Sequence, residues 1–64
     1  MTNKQLAAAR RAMNAFPAFR IEKTGETLTP YRGSIAGTPV MIADWMSESD
    51  VVRELTASCT AIDG

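Results

Sequence analysis

The sequence predicts an α+β fold, in which a three-stranded antiparallel meander is covered on one face by two helices in the order α-β-β-β-α. Three observations support this prediction: apolar residues at helical spacing near the start, strand-like stretches in the middle, and a strong helix start signal at Ser47. The short connections favour an antiparallel meander over parallel crossovers. A chain of 64 residues has room for one domain, spanning residues 1–64.

A first helix is predicted over residues 3–15. Thr2 and Gln5 have the spacing of a capping box, and Pro17 disfavours helical backbone at the residue before it. The larger apolar residues of this segment recur on one side of a helix: Leu6, Ala9, Met13 and Phe16.

Three strands are expected between the helices. The segment Phe19–Thr24 has the period-two pattern of a half-buried strand, and Gly25 follows it as a turn residue. Pro30 and Gly33 are poorly suited to a strand interior, so a loop through Pro30 and a second strand over residues 31–36 are predicted. The third strand, residues 40–45, is almost continuously apolar and is expected to be the most buried.

A second helix is predicted over residues 48–60. Ser47 is the N-cap, Asp50 follows at the capping-box position, and Met46 and Val51 have the spacing of a hydrophobic staple. Five residues are spaced to face the sheet: Val51, Val52, Leu55, Cys59 and Ile62.

The residue types argue against an enzyme. The chain has no histidine and one cysteine, so an internal disulfide, a Cys/His zinc site and a Ser-His-Asp triad are all excluded. Cys59 is predicted to be a buried structural thiol, since no histidine is present to activate it. The glycine-containing stretch that ends at Gly37 and Thr38 lacks the lysine of a phosphate-binding loop and leads into a strand. We therefore expect neither a cofactor nor a bound metal.

The chain is expected to be cytoplasmic and free of the membrane. Its longest apolar runs have four residues, much shorter than a spanning helix or a signal sequence, which need about 20 and about 7–15 residues. A free thiol without an export signal also suggests a reducing compartment.

Charge is distributed unevenly although the formal net charge is zero. Residues 1–23 carry a net charge of +4 and residues 24–64 a net charge of −4. Either the two halves neutralise each other across one domain, or the molecule presents one signed face to a partner. The acidic half supplies one candidate binding surface: Asp44, Trp45, Glu48, Asp50 and Glu54. The basic half supplies the alternative: Arg10, Arg11, Arg20 and Lys23.

These patterns predict a small protein-interaction module that binds and occludes a larger protein. Chains of this length without catalytic groups are often accessory or inhibitory proteins of phages and plasmids, and a small uncrosslinked core also favours self-association. An acidic rim around an aromatic residue suits a partner whose own surface is basic or binds nucleic acid. The alternative function is nucleic-acid binding through the basic first helix and first strand.

The order α-β-β-β-α is similar to that of double-stranded-RNA-binding domains, which have a comparable length. The resemblance covers the order of elements alone. The last helix of that family opens with a lysine cluster set against phosphates, whereas Ser47, Glu48, Ser49 and Asp50 occupy the corresponding turn here. The resemblance therefore assigns no functional residue in this chain.

Overall fold

The computed structural model describes residues 1–63 and has two helices that flank an antiparallel sheet in chain order. The α+β class and the helices on either side of the strands are confirmed. The elements are α1 (Asn3–Met13), β1 (Phe19–Thr24), β2 (Thr27–Arg32), β3 (Ile35–Ala36), β4 (Val40–Met41) and α2 (Glu48–Asp63).

Helix α1 begins at the predicted capping box. The backbone N–H of Thr2 donates to Gln5 Oε1 at 2.9 Å, and the backbone N–H of Gln5 donates to Thr2 Oγ1 at 3.1 Å. Of the residues predicted to align on one side of this helix, Ala9 is buried and Leu6, Met13 and Phe16 are half-buried. Small residues allow two helices to approach closely, and α1 packs mainly against α2. Its buried face is formed by Gln5, Ala8, Ala9 and Ala12.

Strand β2 is the centre of the sheet, which corrects the predicted second strand. It pairs antiparallel with β1, in a register that includes Ile21 opposite Pro30, and also with both β3 and β4. Residues 27–30 thus belong to a strand and residues 33–34 to a turn, where Gly33 has a φ of +63°. The prediction of a loop through Pro30 is therefore wrong.

Pro30 is tolerated in the central strand because the strand beside it contains a β-bulge. Tyr31 pairs with Ala36 and Leu28 pairs with Val40, so three residues of the outer strand face two residues of β2. The N–H of Gly37 donates to the carbonyl oxygen of Pro30 at 2.7 Å. The N–H and the carbonyl of a residue in an antiparallel strand point to the same side, so an N–H at position 30 would also point toward the outer strand. The bulge already interrupts the ladder there, so the missing N–H of Pro30 costs little. We refer to residues 35–41, which comprise β3, the bulge and β4, as the bent strand.

The predicted third strand is also corrected, because β4 ends at Met41 rather than at residue 45. One further ladder bond follows, from the N–H of Ile42 to the carbonyl oxygen of Glu26 at 2.8 Å. The chain then turns, with the N–H of Met46 bonded to the carbonyl oxygen of Ala43. Trp45 lies in this turn and is 81% exposed. The prediction that the third strand is the most buried is therefore wrong, and β2 is the most buried strand.

Helix α2 starts at the predicted residue and extends three residues beyond the predicted end. The N–H of Asp50 donates to Ser47 Oγ at 3.1 Å, and the N–H of Ser47 donates to Asp50 Oδ2 at 3.2 Å, which confirms the N-cap. Cys59 is fully buried, as predicted, and its Sγ lies 3.9 Å from Met13 Sδ. The main core cluster contains Ala8, Ala9, Ala12, Leu28, Val40, Ile42, Met46, Val51 and Leu55.

The two helices cover one face of the sheet. Leu28 and Pro30 of β2 are buried, whereas Thr27, Thr29 and Tyr31 alternate with them and are half-exposed. In the bent strand, Val40 is buried and Met41 is 72% exposed. This alternation is what a sheet with one packed face and one open face requires.

Candidate functional site

An open groove with a volume of about 500 Å³ lies between the bent strand and α2. One wall is formed by four consecutive residues, 38–41, and the other by residues of α2. Trp45 and Met46 also line it. We call this feature the strand–helix groove.

Trp45 and Met41 are the exposed large apolar residues among those that line the strand–helix groove. They are 81% and 72% exposed, and only Ile35 joins them among large apolar side chains as exposed in the described part of the chain. Met41 faces outward because strand alternation directs its neighbours Val40 and Ile42 into the core. Trp45 is the stronger indicator, since a lone exposed tryptophan carries a large unburied apolar area.

The turn that carries Trp45 is held from inside the molecule by Gln5. The Gln5 side chain is buried, and its Nε2 donates to the carbonyl oxygens of Ala43 at 2.9 Å and Met46 at 3.0 Å. These two carbonyls lie on either side of Asp44 and Trp45. An exposed side chain on a fixed backbone loses less conformational entropy on binding than one on a free loop.

The α2 wall presents small residues and one charge to the strand–helix groove. The lining positions Glu54, Ala57, Ser58 and Ala61 follow the i, i+3, i+4, i+7 spacing of a single helix face. Ser58 is buried, and its hydroxyl donates to the carbonyl oxygen of Thr38 at 2.7 Å, which fixes the bulge against α2. Among residues 1–63, Glu54 forms no ion pair, and it is the one charged residue of this lining.

Only part of the predicted acidic surface comes together at this groove. Trp45 and Glu54 line it, and Asp44 is the exposed neighbour of Trp45, with its Oδ1 3.8 Å from the Met1 amino group. Glu48 instead borders a smaller hollow and accepts a hydrogen bond from Arg11 at 3.0 Å. Its charge is thus partly neutralised within the molecule.

Asp50 serves the start of α2 rather than the strand–helix groove. Its carboxylate accepts hydrogen bonds from the Ser47 N–H at 3.2 Å and from Arg53 at 2.7 Å. The pKa of Asp50 is lowered, chiefly by the Ser47 backbone bond and then by bonds from the Ser47 hydroxyl and Arg53. This carboxylate is explained by helix capping alone.

The predicted basic residues are spread over different parts of the surface. Arg11 is bonded to Glu48 on α2. Arg20 stacks over the Tyr31 ring, with its guanidinium carbon 4.7 Å from the centroid, on the sheet face that the helices leave open. Arg10 and Lys23 are exposed, on α1 and β1. Two of the three arginines in this set, Arg11 and Arg20, are therefore engaged in contacts within the fold.

The described residues contain no group of three His, Cys, Asp or Glu side chains placed to hold a metal ion. Neither helix, over the stretch the structure describes, has the length and apolar character needed to cross a bilayer.

Gln5 and Met41 are two residues of the site that local sequence patterns do not mark as functional. Gln5 was recognised as a capping-box residue, but its second role depends on carbonyl groups 38 and 41 positions away. Met41 was assigned to a buried strand, and its exposure follows from strand alternation around Val40 and Ile42. In a continuously apolar strand the sequence does not show which residues face outward, so it gives little indication that Met41 is exposed.

Comparison with protein-family models, with curated proteins and with solved structures finds no match for this chain.

Proposed function

We propose that the protein is a protein-interaction module that binds a larger partner through the strand–helix groove, with Trp45 as the anchor. The observation that carries this proposal is the 81% exposure of a tryptophan on a turn that is fixed by buried hydrogen bonds. Tryptophan is strongly enriched among the residues that dominate binding energy at protein interfaces.

The charges around Trp45 favour a basic partner surface. Asp44 is beside Trp45, and Glu54 lies in the same groove without an ion pair among residues 1–63. A partner with a basic or nucleic-acid-binding surface would complement these two carboxylates. By covering such a surface the protein would act as an inhibitor or an accessory factor, of the kind that phages and plasmids encode, in the cytoplasm.

The test is capture of partners from an extract of the source cells, performed with nuclease treatment and compared among three forms of the full chain. Trp45→Ala is expected to abolish capture of the proteins retained by the wild type. Ile35→Ala is the matched control, because Ile35 is an exposed apolar residue that does not line the strand–helix groove. Equal capture by the wild type and Trp45→Ala would overturn the proposal.

Charge reversal separates this function from nucleic-acid binding. Asp44→Lys with Glu54→Lys should abolish capture, while Arg10→Glu with Lys23→Glu should leave it intact. These pairs avoid Arg11 and Glu48, whose mutual ion pair would be broken by either reversal. The opposite result, together with affinity for nucleic acid that falls steeply with salt, would favour the nucleic-acid function instead.

A further inference from the structure

We propose that the strand–helix groove receives an extended segment of the partner, which pairs with the free edge of β4 and places an arginine or lysine between Glu54 and Trp45. This inference rests on the proposed function and specifies the chemistry of the partner. It requires three properties of the groove: an unpaired strand edge, a wall of suitable length, and a complementary charge.

The first property is the open edge of the bent strand. Within residues 1–63, β2 is its one neighbour in the sheet. Backbone polar groups alternate between the two sides of an antiparallel strand. The N–H of Ile42 bonds to Glu26 on the β2 side, so the N–H and carbonyl of Met41 point away from β2. They form the hydrogen-bonding pair that an added strand needs.

The neighbouring residues limit how far such pairing can extend. Pro39 has no N–H to donate, and the carbonyl of Thr38 already accepts the Ser58 hydroxyl. The open edge is thus short, which blunts nonspecific strand pairing. The backbone N–H and carbonyl of Met41 would hold a bound segment in place, and the side chains of the groove would determine its specificity.

The second property is the length of the α2 wall. From Glu54 to Ala61 the helix advances seven residues, or about 10 Å. An extended chain covers that distance in about three residues. Because Ala57, Ser58 and Ala61 are small, a backbone can lie alongside α2 without displacing side chains.

The third property is the charge of the groove. Among the described residues Glu54 is its one charged lining residue, and the exposed Trp45 lines the same groove. A guanidinium or ammonium group can satisfy both, by a charge-assisted hydrogen bond to the carboxylate and a cation–π contact with the indole. A neutral or acidic side chain would leave Glu54 unpaired.

The experiment screens the 64-residue chain against a library of random capped heptapeptides without tryptophan. The chain has one tryptophan, so peptide binding can be followed by Trp45 fluorescence. We expect enrichment of peptides with one fixed Arg or Lys position. Glu54→Gln should weaken the best peptide about two- to fivefold, as for exposed ion pairs, and Glu54→Lys should switch the preference to Asp or Glu. Glu22→Gln, an exposed carboxylate outside the groove, should change neither affinity nor preference.

The strand-pairing part is tested with N-methylated versions of the best peptide. Methylation at one particular position should weaken binding about tenfold through loss of a backbone hydrogen bond. The inference is overturned if enriched peptides lack a basic residue, if Glu54→Lys keeps the original preference, or if no N-methylation matters. Concentration-dependent self-association that Glu54→Lys abolishes would also overturn it, since the occupant would then be a second copy.

Failure here can be distinguished from failure of the proposed function. Suppose that Trp45→Ala prevents capture of a cellular protein but the peptide experiments give one of the results that overturn the inference. The proposed function as an interaction module is then retained, and its partner binds the groove in another way. If Trp45→Ala changes neither capture nor peptide binding, both proposals fall; peptide binding to this variant, which has no tryptophan, is followed by titration calorimetry.

Discussion

The side-chain Nε2 of Gln5 lies 3.0 Å from the carbonyl oxygen of Met46 and donates a hydrogen bond to it from 41 positions earlier in the chain. A second bond from the same nitrogen reaches Ala43. The capping-box residue of α1 thus also holds the turn that presents Trp45. One amide group thus joins the start of α1 to the turn at the candidate site.

Gln5→Ala is expected to lower the free energy of unfolding by about 1–3 kcal/mol, because the two carbonyls would be left without their donor in a largely buried place. Chemical denaturation followed by circular dichroism measures the change. Lys4→Ala, an exposed neighbour on α1, should have little effect. Gln5→Glu keeps an acceptor for the Thr2 N–H but loses both donors. A stable Gln5→Glu variant would therefore show that the bonds to Ala43 and Met46 contribute little.

Ser47→Ala should cost about 0.5–2 kcal/mol, since it removes the oxygen that accepts the Asp50 N–H. Ser49→Ala is the matched control, at an exposed position in the first turn of the same helix. Both variants are compared by denaturant unfolding at neutral pH. Equal stability of the two would mean that the Ser47 hydroxyl does not cap α2.

Asp50 should contribute a pH-dependent part of the stability. Its pKa in the folded protein is lowered below that of the unfolded chain, chiefly by the Ser47 N–H. The stabilising effect is therefore complete above the unfolded value of about 3.9 and is lost as the pH falls through the lower folded value. The stability gap between the wild type and Asp50→Asn should be larger at pH 7 than in this acidic range. A gap that stays constant with pH would contradict this interpretation.

Gly37→Ala is expected to destabilise the fold by about 1–3 kcal/mol, as overpacking of a filled site does. An added Cβ would lie 2.8 Å from Pro30 Cγ and 3.2 Å from both the Pro30 carbonyl oxygen and Ser58 Oγ. The proline ring and the backbone oxygen cannot swing aside. Thr38→Ala, whose side chain is at an exposed position, serves as control. An unchanged melting temperature for Gly37→Ala would show that the bulge can shift away from β2.

Cys59 is expected to react slowly with a thiol reagent in the native protein, because its side chain is fully buried. Labelling should then require opening of α2, and its rate should rise with added denaturant. Cys59→Ala should lower stability modestly and leave partner capture unchanged. Rapid labelling without denaturant, combined with loss of capture by Cys59→Ala, would instead indicate a functional thiol.

Local signals in the sequence predicted the starts of the helices better than the pairing of the strands. The caps at Thr2 and Ser47 and the strand Phe19–Thr24 depend on residues within a few positions, and all three were identified. Pro30 was wrongly predicted to lie in a loop, because the free-energy cost of proline in a strand depends on whether the neighbouring strand needs its missing N–H. The neighbouring segment is a bulge in the bent strand, and no short segment of sequence determines the register in which that strand pairs with β2.

The candidate site shows the same limit. Trp45 and Glu54 were both named from the sequence, but their common groove exists because β4 packs beside α2. Glu48 was grouped with them by proximity in the chain. Its ion pair with Arg11 joins residues 37 positions apart and could not be read from local spacing.

The contact between α1 and α2 has a consequence for the rate and order of folding. The hairpin of β1 and β2 closes over a two-residue turn, whereas Met13 and Cys59 meet across 46 positions. Closing so long a loop is entropically expensive until the strands between have formed. We expect the meander and α2 to assemble first and α1 to dock last. Substitutions on the buried face of α1 should then accelerate unfolding while leaving the refolding rate nearly unchanged.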